Sequence, residues 1–114
     1  MSYTILRKDE LPRDGNTYEF QGYPYGDTNI SFIWVDMAPG EGPRLHKHPY
    51  EEVLIVQEGR ATYWVGSDTL EVPAGHIVIV PPGVPHKFIN SGDGPLKQID
   101  IHHSPKFITE WLEE

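Results

Sequence analysis

Cysteine is absent from this chain of 114 residues. Its absence excludes disulfides, thiolate zinc sites and cysteine nucleophiles, so any metal ion must be bound by histidine and carboxylate side chains. Basic residues are also few, with 9 Lys and Arg against 17 Asp and Glu, which gives a net charge of −8. This balance disfavours nucleic acid and anionic membrane surfaces as partners, because both require neutralisation of phosphates. A small neutral or weakly polar ligand fits the charge better.

Long apolar runs are absent as well. No segment approaches the roughly 20 apolar residues that span a bilayer, and the first ten residues contain no apolar run typical of a signal peptide. We therefore expect a cytoplasmic protein without a membrane partner. A chain of this length is expected to form a single domain over residues 1–114.

Turn-forming residues are frequent, with eleven glycines and eleven prolines. Turn signals recur about every eight to twelve residues, a spacing typical of β-sandwiches and barrels. The sequence therefore predicts an all-β fold with a core over residues 30–103. Strands are predicted at 30–37, 52–57, 60–65, 69–72, 77–80, 86–90 and 96–103. The short turn at Glu58–Gly59 predicts that the second and third of these form a hairpin.

The two ends of the chain carry different patterns. Residues 1–28 are polar and turn-rich, and they predict an edge strand at 3–6 followed by a long wrapping loop. Near the other end, Ser104 and Pro105 are a favourable N-cap and first residue of a helix. Apolar residues then recur at helical spacing, which predicts a short C-terminal helix over 105–112 with a stripe of Phe107, Ile108, Trp111 and Leu112.

Polar side chains crowd the start of the strand predicted at 52–57. His46 and His48 are two positions apart, so both point to one face of an extended chain, and Glu52 keeps that parity. The next two residues of the same parity are apolar, so this face is expected to be interior. Two imidazoles and a carboxylate are costly there unless they are paired or bind a divalent cation. His86 is predicted to face the same interior from another strand.

Each of these residues has a simpler explanation when it is taken alone. A single histidine beside proline and lysine usually lies on the surface, and Glu51 is interpreted as the outward, solvated neighbour of Glu52. The combination is what indicates a shared site, since several independent coincidences of compatible parity are improbable.

Two ordered motifs connect the chain to a known family. The first, G(X)5HXH(X)3E(X)6G, is matched by Gly40, His46, His48, Glu52 and Gly59. The second, G(X)5PXG(X)2H(X)3N, is matched by Gly75, Pro81, Gly83, His86 and Asn90. With both motifs intact, the chain resembles the small single-domain members of the cupin superfamily. The resemblance implies a double-stranded β-helix, or jelly-roll barrel, with one divalent transition metal per chain bound by His46, His48, Glu52 and His86.

Three imidazoles and one carboxylate suit iron, manganese, nickel, copper or zinc, and the sequence does not choose among them. Four protein ligands would leave one or two positions for water, dioxygen or substrate. A closed, purely structural metal site is the alternative.

The resemblance implies an enzyme of the dioxygenase, isomerase, cyclase or lyase type that acts on a small molecule in the barrel. The alternative is a metal-dependent binding or sensing module without turnover, and a storage or scaffold protein is a third hypothesis. Cupins commonly pair, so a homodimer is also implied. The candidate interface residues are Phe32, Trp34, the tyrosine-rich N-terminus and Trp111.

The remaining polar candidates are assigned by position, and no catalytic residue is assigned. Asn90 precedes a glycine-rich stretch and is expected to form the turn rather than to orient a ligand. His76 lies in a turn and is expected to be exposed. Of His102 and His103, the second shares its parity with two preceding isoleucines and is therefore predicted to reach the pocket.

Overall fold

The computed structural model describes residues 2–114, which form two facing antiparallel sheets and one 3₁₀ turn at Lys8–Glu10. The strands are β1 (Arg13–Asp14), β2 (Thr17–Phe20), β3 (Ser31–Met37), β4 (His46–Lys47), β5 (Glu52–Glu58), β6 (Arg60–Val65), β7 (Asp68–Pro73), β8 (Ile77–Val80), β9 (His86–Asn90), β10 (Leu96–His102) and β11 (Glu110–Trp111). Within residues 2–114 there is no helix with the length and apolar character needed to cross a membrane.

The two sheets have six and five strands. The first has the order β1-β2-β3-β10-β5-β8, and the second has the order β11-β4-β9-β6-β7. The chain therefore crosses repeatedly between the sheets from β3 to β11, although β1, β2 and β3 pair in sequence in the first sheet and β6 pairs with β7 in the second. This arrangement confirms the predicted all-β jelly roll.

The core lies between the sheets and follows from the alternation of each strand. In β5, Glu52, Leu54 and Val56 point inward and are buried, while the residues between them are half-buried on the outer face. The same alternation in the other strands completes one apolar cluster, which contains Val35, Leu54, Val56, Ala61, Tyr63, Val72, Val80, Phe88 and Leu96.

The predicted hairpin between the second and third long strands is wrong. β5 pairs with β10 and β8, whereas β6 pairs with β7 and β9 in the other sheet. Only Gly59 separates the two strands, which is too short for a two-residue hairpin loop. Gly59 instead turns the chain from one sheet to the other, with a φ of 87° that favours glycine.

The N-terminal segment also differs from the prediction. Residues 3–6 form no strand, and the edge of the first sheet is made by β1 and β2, of which β2 pairs with β3. The tyrosine and isoleucine at positions 3 and 5 are 83% and 80% exposed, so no element formed by residues 2–114 buries the apolar pattern that suggested a strand.

The predicted C-terminal helix over 105–112 is wrong as well, because this segment is extended. Glu110 and Trp111 form β11 and pair with β4, and the Leu112 amide donates to the Leu45 carbonyl at 2.9 Å. Eight residues are too few for a stable helix without packing, and the open edge of β4 provides backbone partners instead. The predicted stripe is therefore split between two faces. Phe107 and Trp111 pack on histidines of the barrel. Ile108 and Leu112 have the opposite parity and are exposed.

Candidate metal centre

Four polar side chains from both sheets meet at one end of the barrel. His46 in β4 lies opposite His86 in β9, Glu52 begins β5, and His48 follows β4 directly. One ligand atom from each lies within 4.8 Å of all the others, and every one of these residues is at least 94% buried. The structure thus brings together all four residues that the sequence predicted as ligands.

Backbone carbonyls fix the orientation of the three histidines. The Nδ1 atoms of His46, His48 and His86 lie 2.7, 2.8 and 3.0 Å from the carbonyl oxygens of Arg44, Ile108 and Val84. A carbonyl can only accept, so each Nδ1 carries the proton and donates it. The Nε2 lone pairs are therefore left free to point into the cluster, which is the tautomer that binds metals.

The carboxylate of Glu52 lies at the centre of these lone pairs. Its Oε1 is 2.8 Å from His86 Nε2 and 3.1 Å from His48 Nε2. Two acceptor nitrogens against one acceptor oxygen repel each other unless a proton or a cation lies between them. Among residues 2–114, the Nε2 atoms of His48 and His102 are the two buried side-chain nitrogens without a hydrogen-bond partner. Of these, His48 Nε2 presents a lone pair to the cluster and is the feature that fits a bound cation.

The protonation states favour metal binding. Burial lowers the pKa of His46 to about 4, so its ring is neutral at neutral pH. Burial alone would raise the pKa of Glu52, but contacts with His102, His48 and His86 hold it well below its usual range. For His86 the desolvation caused by burial is outweighed by the Glu52 carboxylate, which raises the His86 pKa overall. The site therefore combines an ionised carboxylate with a neutral His46, while His86 holds its proton against Glu52 and would give it up to a bound ion.

The spacing of the four groups fits a single transition-metal ion. Metal–ligand bonds of about 2.0–2.2 Å place two ligand atoms on one ion at most about 4.4 Å apart. The observed spread of 4.8 Å needs only a few tenths of an ångström of contraction. Three nitrogens and one oxygen suit the transition metals rather than calcium or magnesium.

A further histidine reaches this site, and it is His102 rather than the predicted His103. His102 is 3% exposed and its Nε2 lies 3.1 Å from Glu52 Oε2, whereas His103 is exposed. The prediction followed Ile99 and Ile101, which lie on the outer face of β10. The inward face of this strand is mostly polar, with Leu96, Gln98, Asp100 and His102, so hydrophobicity gave the wrong parity.

Tyr50 holds His102 from the opposite side. Its hydroxyl lies 2.6 Å from His102 Nδ1 and accepts from the Ile108 amide at 3.2 Å. Burial raises the pKa of Tyr50 to about 12, so the hydroxyl is protonated and can donate to Nδ1. The ring proton of His102 is then on Nε2 and faces the carboxylate of Glu52. His102 thus directs an N–H towards Glu52 across 3.1 Å without completing a hydrogen bond, and it differs in this tautomer from the other three histidines.

A second buried polar chain lies on the inward face of β10, next to the cluster. The Tyr63 hydroxyl donates to Gln98 Oε1 at 2.9 Å, and the Gln98 amide donates to Asp100 Oδ1 at 2.7 Å. Burial and the nearby charge of Glu52 raise the pKa of Asp100 well above its usual range. No sequence pattern distinguished this carboxyl group, because it lies in a strand between two isoleucines.

The other polar candidates lie where they were expected. Asn90 is buried and its side chain binds the backbone of the following turn at Gly92 and Gly94, both through hydrogen bonds of 2.9–3.0 Å. His76 and Glu51 are exposed. None of these three contributes to the cluster.

A cavity of about 1070 Å³ lies beside the cluster and extends to residues of β1, β2 and β11. Its inner part is lined by the cluster, Asp100 and His102, and its walls include apolar side chains of β3 and β9. The C-terminal segment closes one side, where Trp111 packs on His46 with ring centroids 5.1 Å apart and Phe107 packs on His102 at 4.9 Å. The cavity is large enough for a small organic molecule next to the cluster.

Comparison with known proteins agrees with this architecture. The family model described as Cupin domain matches residues 33–102. An uncharacterized protein of Methanocaldococcus jannaschii is 36% identical over 101 residues, which cover 86% of this chain and 81% of that protein. An uncharacterized protein of Streptomyces coelicolor is 49% identical over 83 residues, which cover 73% of this chain and 75% of that protein.

Among solved structures, the formate complex of Lactobacillus farciminis oxalate decarboxylase superimposes with a TM-score of 0.79 at 25% identity. The match covers 91% of this chain but only 34% of the decarboxylase, so the chain spans about a third of that enzyme. The family model extends over more than half of the chain, from the middle of β3 to the end of β10. The protein therefore belongs to the cupin family.

Proposed function

We propose that this protein is a metal-dependent cupin enzyme that binds one divalent transition metal per chain and acts on a small molecule in the barrel. The observation that supports the proposal best is the set of Nε2 lone pairs of His46, His48 and His86, all directed at the cluster that holds Glu52 Oε1. Iron, manganese, nickel, copper and zinc all suit these ligands.

The chain's own residues have separable roles in this proposal. His46, His48, His86 and Glu52 would hold the ion, which when bound supplies Lewis acidity and positions open to substrate or dioxygen. Trp111 and Phe107 cover the histidines and limit the access of water to the cluster. Asp100, with one oxygen bound to Gln98, is placed to exchange a proton with a ligand in the cavity.

Metal content tests the first half of the proposal. Purified protein is expected to hold about one transition-metal ion per chain, and His48→Ala or His86→Ala should abolish binding. His76→Ala is the matched control, because His76 is exposed and outside the cluster. Elemental analysis that finds no metal in either native or reconstituted protein would disprove the site.

Turnover tests the second half, since a binding or sensing module is the alternative. The iron(II) form should be incubated with catechol, β-diketone and keto-acid substrates while oxygen uptake and product formation are measured. Turnover that His86→Ala abolishes supports an enzyme. Tight binding of these compounds without any product would instead support the non-catalytic module.

We also propose that the protein forms a homodimer through the outer face of the first sheet. Outward side chains form two apolar rows that cross five paired strands, and the registers place Phe32 and Trp34 in them. One row consists of Tyr18, Trp34, Ile99, Ile55 and Ile77, and the other of Phe20, Phe32, Ile101, Val53 and Ile79. A second copy presents the same rows and can cover them by two-fold symmetry.

Sedimentation tests the dimer. Ile79 is 60% exposed at the sheet edge, and Ile79→Glu should weaken the association at least tenfold. Leu70→Glu is the control, since Leu70 is a partly exposed apolar residue of the other sheet. A wild-type protein that sediments as a monomer at micromolar concentration would contradict the proposal.

A further inference from the structure

The charged side chains that line the cavity beside the cluster are acidic. Among residues 2–114, no lysine or arginine lines it. Its lining does include six acidic residues, namely Asp14, Glu19, Asp36, Glu41, Glu52 and Asp100. Glu52 would be neutralised by a bound ion, and the raised pKa of Asp100 keeps its proton in place. An anion therefore meets the charges of Glu19 and of the exposed Asp14 and Glu41, with no cationic side chain to pair with. Like charges in a cleft with low-dielectric walls repel more strongly than in open water.

The basic residues near this end of the barrel are engaged outside the cavity. The guanidinium of Arg44 lies 4.6 Å from the centroid of the Trp111 ring, on which it stacks. The ammonium groups of the two nearby lysines pair with glutamates of the C-terminal segment, at 3.5 Å for Lys47–Glu110 and 3.0 Å for Lys87–Glu113. None of these three basic residues is part of the lining.

The inward carboxyl groups form an ordered row. Glu19 in β2 lies opposite Ile33 in β3, and Ile33 lies opposite Asp100 in β10. Glu19 and Asp100 therefore face the cavity on either side of an apolar residue. Val35, Met37 and Phe88 provide further apolar wall. Carboxyl groups set in apolar walls bind hydroxyl groups well, because they accept hydrogen bonds that the walls cannot provide.

Building on the proposed function, we propose that the cavity selects neutral, partly apolar molecules that carry adjacent hydroxyl or carbonyl oxygens, and that it discriminates against dianions such as oxalate. Adjacent oxygens would reach the metal, and the remaining hydroxyl hydrogens would bind the carboxyl row. On this proposal, the protein shares its fold with oxalate decarboxylase but takes a neutral substrate rather than a dianion.

The experiment compares catechol, which is neutral near pH 7, with oxalate as probes of the zinc-loaded protein. Zinc is chosen because it does not oxidise catechol. Calorimetric titration is expected to show that wild-type protein binds catechol at least tenfold more tightly than oxalate. Raising the ionic strength from about 0.01 M to about 0.1 M shortens the screening length from about 30 to about 10 Å. Oxalate binding should strengthen with salt, while catechol binding should not change.

Charge variants locate the effect. Glu19→Lys should raise the affinity for oxalate at least tenfold and should not raise the affinity for catechol, which can only lose a hydrogen bond to Glu19. Asp93→Lys changes the net charge equally in an exposed loop outside the lining and should have no effect on either probe. If Glu19→Lys does not fold, Glu19→Gln removes the charge alone and should give an increase of about threefold, with Asp93→Asn as its control.

The outcomes separate this inference from the proposed function. Wild-type protein that retains zinc but binds oxalate as tightly as catechol, or more weakly as salt is added, would overturn the charge selection alone. Loss of zinc from wild-type protein during dialysis would overturn the metal site and the charge selection together, because the probes would have no ion to reach.

Discussion

His102 Nε2 lies 3.1 Å from Glu52 Oε2 across the paired strands β10 and β5, while Glu52 Oε1 faces the other histidines of the cluster. The two oxygens of this carboxylate therefore have different partners. A hydrogen bond from His102 would keep Oε2 away from a bound ion and so favour coordination through Oε1 alone. One further coordination position would then remain open to a ligand.

We predict that His102→Gln weakens metal affinity about 10- to 100-fold, the usual effect of losing a group that orients a ligand. Tyr50→Phe removes the hydroxyl that holds His102 and should act in the same direction with a smaller effect. Competition with a chelator measures both affinities. His103→Gln is the control because His103 is exposed. Equal affinities for His102→Gln and wild type would show that Glu52 needs no such support.

Metal removal should lower the stability of the fold. An ion that binds only the folded chain adds about 2.7 kcal/mol at a free concentration 100 times Kd. Urea unfolding with and without a chelator measures this increment. Glu52→Gln should abolish it, whereas Glu51→Gln should keep it, since Glu51 is exposed and outside the cluster. The same increment in both variants would argue against Glu52 as a ligand.

Burial of Asp100 should make the free energy of unfolding of the metal-free protein depend on pH. Its folded-state pKa is raised, chiefly by burial, so the unfolded chain loses this proton at lower pH than the folded chain does. The contribution of Asp100 is complete below the ordinary carboxyl range and is lost as the pH rises towards the raised pKa. Asp100→Asn does not titrate and can still accept from Gln98.

The variant should therefore match wild type near pH 3 and become more stable as the pH rises. The gain is about 1.4 kcal/mol for each pH unit over which the folded wild-type carboxyl keeps its proton. Thermal unfolding across this range, with a chelator present, measures it. A constant difference between Asp100→Asn and wild type at every pH would contradict the raised pKa.

The position of Gly59, where the chain crosses between the sheets, is expected to require glycine. A Cβ atom there would lie 2.3 Å from the Pro95 carbonyl oxygen, and the φ of 87° is unfavourable for other residues. Gly59→Ala should cost more than about 2 kcal/mol, because the clash adds to the backbone strain. Gly75→Ala has a similar φ without a clash and should cost about 1 kcal/mol. Equal losses in urea unfolding would show that the clash is relieved.

The sequence predicted the cluster well because parity and burial agreed there. His46, His48 and Glu52 share a parity with apolar Leu54, and the strand keeps its inward face as the pattern requires. Parity failed for His102 because the inward face of β10 carries Gln98 and Asp100, which are buried with hydrogen bonds from Tyr63 in the other sheet to Gln98 and from Gln98 to Asp100.

Tertiary pairing also explains the errors in secondary structure. The pattern of residues 105–112 is compatible with a helix, but the free edge of β4 decides in favour of a strand. The turn at Gly59 was recognised, yet a turn signal does not tell whether the next strand joins the same sheet or the opposite one. The sequence could not predict the role of Ile108 either, because its backbone rather than its side chain binds His48 and Tyr50.

The four residues of the cluster do not belong to one sheet. Glu52 comes from the six-stranded sheet, and His46 and His86 come from the five-stranded sheet. An ion held by all of them would act as a cross-link between the layers, so separation of the sheets would be the event that releases it. The rate of metal exchange would then measure how often the two sheets separate. Amide hydrogens in both sheets would gain protection from exchange together when the ion binds.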